Sequence, residues 1–176
     1  MTHPLHDLPT GPDPPHQLTA FIEIPRGSRN KYELDKATGL LRLDRILYAS
    51  VHYPGDYGLL PRTLGEDSDP LDVLVMTTEP TFAGCTIVVR PIGAFLMEDD
   101  KGNDEKILAV PVADPLRREM RDLDDVPPHF LDEVRHFFAV YKDLEGKRVH
   151  TIGWEPRETA ERLVCEAMER YVPPGR

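Results

Sequence analysis

The chain has 176 residues, which is long enough for one domain with a substantial core but short for two. Its formal net charge of −10 would repel a phosphate backbone, so we expect no nucleic-acid partner. It has no apolar run near the roughly eighteen residues that span a bilayer, so we expect no membrane association. Two cysteines, Cys85 and Cys165, form neither a metal-ligand pattern nor a disulfide framework, which favours a cytoplasmic location.

The first eighteen residues are rich in Pro and His and predict a flexible arm. Residues 1–17 have no apolar periodicity and no hydrophobic region of the signal-peptide kind. His3, His6 and His16 could recruit a metal ion, but such spacing in a Pro-rich segment is more typical of a solvated tail. We therefore expect residues 1–18 to lie outside a single domain formed by residues 19–176.

Short strand-like runs follow, separated by Gly, Pro and Asp turns. The predicted strands cover residues 20–24, 31–35, 40–47, 72–77, 85–97 and 106–112. Residues 36–39 are typical of a hairpin turn between the second and third strands, and residues 53–58 of a turn-rich loop. No helix-length segment separates these strands, which favours a small closed barrel over a parallel sheet.

Two amphipathic helices are predicted in the last third of the chain. Apolar residues recur at three- and four-residue steps from Phe130 to Leu144, and the pattern ends before Gly146. A second helix follows Pro156 and stops at Pro173. The expected fold class is therefore α+β, a closed barrel with two C-terminal helices packed on it.

The stretch EDSDPLD, residues 66–72, places four carboxylates directly before a predicted buried strand. If it is extended, Asp67 and Asp69 point the same way and Asp72 points the other way. A kink at Pro70, which cannot donate to a strand ladder, could bring all three side chains to one site.

A second acidic cluster, residues 98–105, lies between two apolar strands. It is either an ordinary polar hairpin loop or a site at which Asp99 and Asp104 face the first cluster across the barrel mouth. Two unit charges about 6 Å apart repel by roughly 3 kcal/mol at an effective dielectric of about 20, so converging carboxylates require cations or protons. Oxygen ligands without His or Cys favour Mg²⁺, Ca²⁺ or Mn²⁺ over Zn²⁺. An EF-hand loop is excluded, because that motif needs oxygen ligands at positions 1, 3 and 5 and Gly at position 6. DSDPLD instead has Pro at position 4, Leu at position 5 and Asp at position 6.

Cationic and phenolic side chains accompany the acids, and each taken alone has an ordinary structural explanation. The set is Lys31, Arg45, Tyr53, Tyr57, Lys106, Tyr141 and Lys142. Arg in particular suits forked contacts with phosphate oxygens. Glu23 lies between two isoleucines and requires partners, and a salt-bridged barrel residue is an equally good interpretation of it. Carboxylates for metal ions, with Lys, Arg and Tyr for anionic oxygens, are the groups that phosphoryl transfer needs.

The motif Asp67-Ser68-Asp69-Pro70-Leu71-Asp72-Val73 resembles the signature D-x-D-P-x-D-x of the soluble family I inorganic pyrophosphatases of bacterial type. Similar segments occur in the family's order at residues 22–25, 31–33, 44–45, 53–54, 57–58, 99–106, 136–138 and 141–145. The resemblance covers about residues 19–171. It implies a five-stranded OB-like barrel and Mg²⁺-dependent hydrolysis of pyrophosphate to two orthophosphates. It also implies several bound ions, with Mn²⁺ as a possible substitute.

The resemblance also implies roles for individual residues. The implied metal ligands are Asp67, Asp72, Asp99 and Asp104, with Glu23 and Glu33 as outer acidic positions. Asp69 would accept a proton from the attacking water or orient that water, and Asp104 is the alternative base. The implied phosphate-binding residues are Lys31, Arg45, Tyr57, Tyr141 and Lys142, with Lys106 and Tyr53 in support.

The sequence departs from the family's pattern at two positions. Asp100 stands where a glutamate is frequent, and Val140 replaces a histidine that some bacterial members carry near a subunit interface. Bacterial relatives form hexamers, so a homo-oligomer is implied. The alternative from a different functional class is a non-catalytic OB-like binding module with a structural divalent-cation site.

Overall fold

The computed structural model describes residues 2–174; Met1, Gly175 and Arg176, which belong to the predicted arm and domain, lie outside the described residues. Within residues 2–174 the strands are β1 (Leu18–Ile24), β2 (Asn30–Leu34), β3 (Leu41–Ile46), β4 (Asp56–Leu59), β5 (Asp72–Val75), β6 (Thr86–Asp99), β7 (Gly102–Pro111) and β8 (His150–Pro156). The α-helices of the same range are α1 (Pro128–Val140) and α2 (Arg157–Arg170). Neither of these helices is long and apolar enough to cross a membrane.

Five of the described strands close into a ring. The order β1-β4-β5-β7-β6 returns to β1, because β6 also pairs with β1. Neighbouring strands of the ring are antiparallel except β5 and β7, which run parallel. In sequence β6 comes between these two strands, but in the sheet β7 lies between β5 and β6. β8 extends the sheet from β6, while β2 and β3 form a separate hairpin. The predicted α+β barrel with two helices is thereby confirmed.

Two strands, β4 and β8, were not predicted. β4 lies in the segment interpreted as a turn-rich loop, because Pro54, Gly55 and Gly58 give it the composition of a turn. All four residues of β4 are nevertheless buried between β1 and β5. Gly58 allows this close approach, since a Cβ there would lie 1.9 Å from the carbonyl oxygen of Phe21. Pairing with distant strands thus outweighs local composition.

The core has an aromatic half that determines where the cavity residues lie. α1 buries Phe137 and Phe138 against the barrel, and Phe138 stacks on Phe95 of β6 with ring centroids 5.8 Å apart. Tyr57 of β4 contacts the Phe138 ring at 6.1 Å. The other half of the core is aliphatic, where α2 covers the barrel with small side chains such as Ala160. Each helix therefore fixes one side of the barrel.

α1 ends at Val140, six residues before the predicted limit at Gly146. Tyr141 is its C-cap, and a short 3₁₀ turn over Asp143–Glu145 follows, ending at Gly146 with φ 71°. The apolar period continues past the helix because the 3₁₀ turn has nearly the same spacing. Tyr141 and the following lysine are consequently released from the helix at the edge of the barrel.

Residues 2–17 contain no helix or strand, yet they lie against the domain and differ in this from the loose arm expected. Leu5 is 6% exposed in a small apolar cluster with Phe21 and other side chains. His16 Nδ1 lies 3.0 Å from Glu161 Oε1 on α2. The lack of periodicity correctly excludes a regular element here, and the segment is held on the domain by the buried Leu5 and by polar contacts such as that of His16.

Candidate active site

One end of the barrel opens into a cavity of about 250 Å³. Its carboxylates are Glu23, Glu33, Asp67, Asp69, Asp72, Asp99 and Asp104. Its cations are Lys31, Lys36, Lys101, Lys106 and Lys142, and its phenols are Tyr32, Tyr57 and Tyr141. The structure therefore brings the two acidic clusters to one place, together with most of the predicted phosphate-binding residues. Arg45 and Tyr53 lie outside this lining.

The loop before β5 is a tight turn and not the extended segment with a kink at Pro70 that was considered. Ser68 has φ 68°, and Asp67 Oδ1 accepts the N–H of Asp69 at 3.0 Å. The reversal at Ser68 places Asp67 and Asp69 on the cavity. Asp72 reaches the same cavity as the first residue of β5.

Asp99 and Asp104 flank the hairpin turn between β6 and β7, so the polar-loop interpretation and the convergent-site interpretation both apply. Asp100 sits in the turn, exposed and outside the cavity lining. The parallel ladder between β5 and β7 pairs Asp72 with Lys106. Side chains two residues apart on a strand share a face, which brings Asp104 to the same side as Lys106.

Lys106 lies at the base of the cavity, and its side chain is only 2% exposed. Its ammonium donates to Asp72 Oδ2 at 2.9 Å, to Asp104 Oδ1 at 2.8 Å and to the Tyr57 hydroxyl at 2.8 Å. Burial disfavours the charged form, but the two carboxylates outweigh it and raise the pKa of Lys106 well above its ordinary value. This one side chain thus joins β4, β5 and β7 through a fixed positive charge.

The carboxylates differ in how well their charges are compensated. Burial, reinforced by Asp69 and Asp104, raises the pKa of Asp67 despite the hydrogen bond from the Asp69 N–H. Burial and the charges of Asp72 and Asp99 raise the pKa of Asp104 against the opposing effect of Lys106. A further cation near either side chain would favour its ionised form.

Lysines compensate the other two acids of the cavity edge. Burial opposes ionisation of Asp69, but Lys36 and Lys101 hydrogen-bond to it and lower its pKa overall. Asp99 has its pKa lowered against burial in the same way, with Lys142 Nζ 2.8 Å from Asp99 Oδ2. Both carboxylates are therefore ionised at neutral pH and are already hydrogen-bonded to ammonium groups.

Glu23 is the most deeply buried acid of the cavity. Its Oε1 accepts the N–H of Leu34 at 2.7 Å, and among the described residues no cation forms an ion pair with it. Burial raises its pKa to about 8, opposed by the Leu34 hydrogen bond and reinforced by the charge of Asp72. The salt-bridged barrel residue considered for Glu23 does not describe this environment.

Arg45 is linked to the cavity only through other side chains. Its Nε lies 2.6 Å from Glu145 Oε1 and its Nη1 lies 2.6 Å from Asp44 Oδ2. Asp44 Oδ2 in turn lies 3.3 Å from Lys31 Nζ. Arg45 is therefore connected to Lys31 through the carboxylate of Asp44, which contacts both side chains.

Tyr53 supports the cavity from within the core. It is 2% exposed, and its ring packs between Tyr57 at 5.3 Å and Phe137 at 4.8 Å. Burial raises its pKa well above the ordinary value, so it remains a neutral phenol. Its contact with Tyr57 fixes the ring whose hydroxyl reaches Asp72.

Three residues of the cavity were missed by sequence reasoning: Tyr32, Lys36 and Lys101. Lys36 and Lys101 lie in hairpin turns, where lysines are ordinarily solvated, so no local pattern distinguishes them. Tyr32 follows Lys31 on β2, and both residues line the cavity. The proximity of two lysines to Asp69 depends on how the hairpins are arranged in space.

The donor set of the cavity fits a hard divalent cation, since it consists of carboxylate oxygens without His or Cys. Within residues 2–174 no three His, Cys, Asp or Glu side chains are placed to hold one ion. Lysine ammoniums lie between the carboxylates instead, as Lys106 does between Asp72 and Asp104. The chemistry therefore suits Mg²⁺ or Mn²⁺, although the carboxylates are here arranged around lysines.

Comparisons with known proteins cover nearly the whole described fold. A family model described as inorganic pyrophosphatase matches residues 20–172. An inorganic pyrophosphatase of Methanosarcina acetivorans is 54% identical over 154 residues, covering 88% of this chain and 92% of the relative. One from Geobacillus stearothermophilus is 52% identical and covers 88% of this chain and 93% of the relative. The crystal structure of inorganic pyrophosphatase from Thermus thermophilus matches with a TM-score of 0.92 at 44% identity, covering 96% of this chain and 98% of that one.

We predict that Lys106→Gln lowers the free energy of unfolding by about 3–5 kcal/mol, because it leaves two partly buried carboxylates without their cation. Lys101→Gln is the matched control, since the Lys101 side chain is 65% exposed, and it should cost less than about 1 kcal/mol. Urea unfolding at neutral pH measures both. Equal losses in the two variants would contradict the structural role of Lys106.

A second prediction concerns the pH dependence of stability in metal-free protein. Between about 4.5 and about 8, an unfolded Glu23 is ionised while the folded one keeps its proton, so its contribution to stability falls as pH rises. Glu23→Gln retains an acceptor for Leu34 and removes this dependence. We expect the variant to lose less unfolding free energy than the unsubstituted protein across that window. The exposed Glu79→Gln should follow the unsubstituted protein, and identical curves for Glu23→Gln would contradict the prediction.

Proposed function

The chain belongs to the inorganic pyrophosphatase family, and from this premise we propose that it hydrolyses pyrophosphate to two orthophosphates with several Mg²⁺ ions. We assign the activity to a single catalytic domain, residues 19–176. The observation that carries the proposal is one cavity in which seven carboxylates face five lysines. Neither group alone would suit both a divalent cation and a phosphate anion, whereas the combination suits a cation-bound polyanion.

The carboxylates would hold the cations. Asp67, Asp72, Asp99 and Asp104 are the proposed direct ligands, with Glu23 and Glu33 as outer acidic positions. When bound, the ions supply positive charge to the phosphate oxygens and lower the pKa of a coordinated water. Mn²⁺ shares the preference for oxygen ligands and is expected to substitute.

The lysines and phenols would hold the anion. We assign phosphate binding to Lys31, Lys106 and Lys142, whose ammoniums already lie beside carboxylates of the cavity. Tyr57 and Tyr141 line the same wall and would act as hydroxyl donors. Burial raises the pKa of Tyr57 well above its ordinary value, which keeps its hydroxyl proton available for donation.

Arg45 and Tyr53 keep indirect roles in this proposal. Arg45 would order Lys31 through the carboxylate of Asp44, which both side chains contact. Tyr53 would hold the ring of Tyr57. Their substitution should therefore weaken substrate binding through these neighbours.

The attacking water would be oriented by Asp69. This carboxylate lines the cavity and is ionised, so it can accept a proton. Asp104 is the alternative base, because burial raises its pKa above the ordinary value of an aspartate, which makes its carboxylate a stronger proton acceptor.

We further propose a cytoplasmic homo-oligomer, a hexamer by analogy with bacterial members of the family. Free Cys85 and Cys165 are consistent with a reducing compartment. Leu43, Ile46 and Tyr48 are large apolar side chains exposed on or beside β3, which is consistent with a surface that another copy covers. Sedimentation of the purified protein would measure the assembly.

Phosphate release from pyrophosphate tests the proposed function directly. We expect rapid release with Mg²⁺ and none above background with EDTA. Restoration of activity by added Mg²⁺ controls for loss of folding in the chelator. Release no higher than background under both conditions would favour the non-catalytic binding module.

Asp69→Asn should leave the protein folded and cut turnover by about 10² or more, the scale of a lost general base. Glu66→Gln, an exposed neighbour in the same loop, is the matched control and should retain full turnover. Steady-state kinetics with saturating Mg²⁺ measure the effect. Near-native turnover in Asp69→Asn would transfer the base role to Asp104.

A further inference from the structure

Residues 3–7 form one closed turn that ties the N-terminal segment to the end of α2. The N–H groups of His6 and Asp7 donate to the His3 carbonyl at 3.1 and 2.8 Å, and Asp7 Oδ2 accepts the His3 N–H at 2.7 Å. The His3 and His6 rings stack with centroids 4.4 Å apart. His6 Nδ1 lies 2.8 Å from the hydroxyl of Tyr171, the residue after α2.

The turn is anchored to the barrel as well. Leu5 is buried with Leu34 and Leu59, and burying a leucine contributes about 1.5–3 kcal/mol. The backbone N–H of Arg62 donates to the Leu5 carbonyl at 3.0 Å, and its Nε donates to the His6 carbonyl at 3.0 Å. The two imidazoles are therefore held at a fixed place on the domain.

His3 contacts the turn between β2 and β3. Its Nε2 lies 3.1 Å from the carbonyl oxygen of Lys36. Its ring covers Gly39, where an added Cβ would lie 2.9 Å from the ring Cδ2. The N–H groups of Ala37 and Thr38 donate to Asp35 and close the turn from the other side.

The same turn carries Lys36 into the cavity. Its ammonium pairs with Asp69 and lies 3.3 Å from the Ser68 carbonyl oxygen. β2 and β3 form a two-stranded sheet outside the barrel ladder. An isolated two-stranded hairpin is marginally stable, so the position of its turn depends on contacts made from outside.

We propose that His3 is a positioning residue for substrate binding, which holds the β2–β3 turn so that the Lys36 ammonium contacts the entering anion. The function proposed above gives Lys36 no individual role beyond its place among the five lysines of the cavity, and it gives the N-terminal segment none. The inference rests on that proposed function for the identity of the anion, which is pyrophosphate. Lys101 provides a comparison for Lys36. Its ammonium also contacts Asp69, but it comes from the β6–β7 turn, whereas His3 contacts the β2–β3 turn.

Steady-state kinetics of His3→Ala test the proposal. We expect KM for pyrophosphate to rise about two- to fivefold with kcat nearly unchanged, the scale of one exposed charge contact. His3→Gln should restore KM, because its amide N–H can donate to the Lys36 carbonyl. His16→Ala is the matched control from the same segment, since His16 contacts α2 instead of the hairpin.

Double substitutions separate positioning from general loosening of the fold. If His3 acts through Lys36, then His3→Ala should have no further effect in a Lys36→Ala background but its full effect in a Lys101→Ala background. Calorimetric titration with methylenebisphosphonate, which is not hydrolysed, should show the same pattern in affinity. This readout does not depend on turnover.

Three results would overturn the inference: an unchanged KM in His3→Ala, the same effect in His16→Ala, or an effect that persists in the Lys36→Ala background. Failure of the proposed function looks different, because the unsubstituted protein would then release no phosphate from pyrophosphate with Mg²⁺. Hydrolysis by the unsubstituted protein with an unchanged KM in His3→Ala would overturn the positioning role alone.

Discussion

The repulsion among seven carboxylates on one cavity is the constraint on which the rest of this structure depends. Lys106 compensates it at the deepest point, where its ammonium contacts Asp72, Asp104 and Tyr57. A buried ion pair contributes little stability in itself, but removing its cation would leave charges that the interior cannot solvate. The lysines at the cavity edge compensate acids that are partly solvated. Each of these lysines is therefore easier than Lys106 to replace by another cation.

The barrel topology is what brings these charges together. The acids of the first cluster precede β5, and those of the second flank the β6–β7 turn, about thirty residues later in the chain. Only the parallel pairing of β5 with β7 places Asp72 opposite Lys106. Closure through β1 and β6 leaves the ring without a free edge, while the aromatic side chains of α1 fix the ring of Tyr57. The polar site is therefore supported by the most rigid part of the core.

The hairpin of β2 and β3 is the less constrained wall of the cavity. It supplies Lys31 and Lys36, yet it shares no ladder with the barrel. Its position is set by side-chain contacts, among them the Glu23 carboxylate on the Leu34 N–H and the His3 imidazole on the turn. A peripheral segment that resembles a solvated tail in composition thus contacts an element of the proposed active site.

The sequence by itself determined the fold class, six of the strands, both helices and the acidic motif around Asp69, because apolar period and turn residues are local properties. The sequence did not predict the end of α1 or the strands β4 and β8. For β4 the reason is that Gly58 is typical of a turn by composition and becomes a strand residue only through its close contact with β1. Tertiary structure alone decided that Lys36 and Lys101 meet Asp69 and that Arg45 stands behind Lys31. Lys36 and Lys101 are 33 and 32 positions from Asp69 in the chain, so no local pattern in the sequence could record their contacts with it.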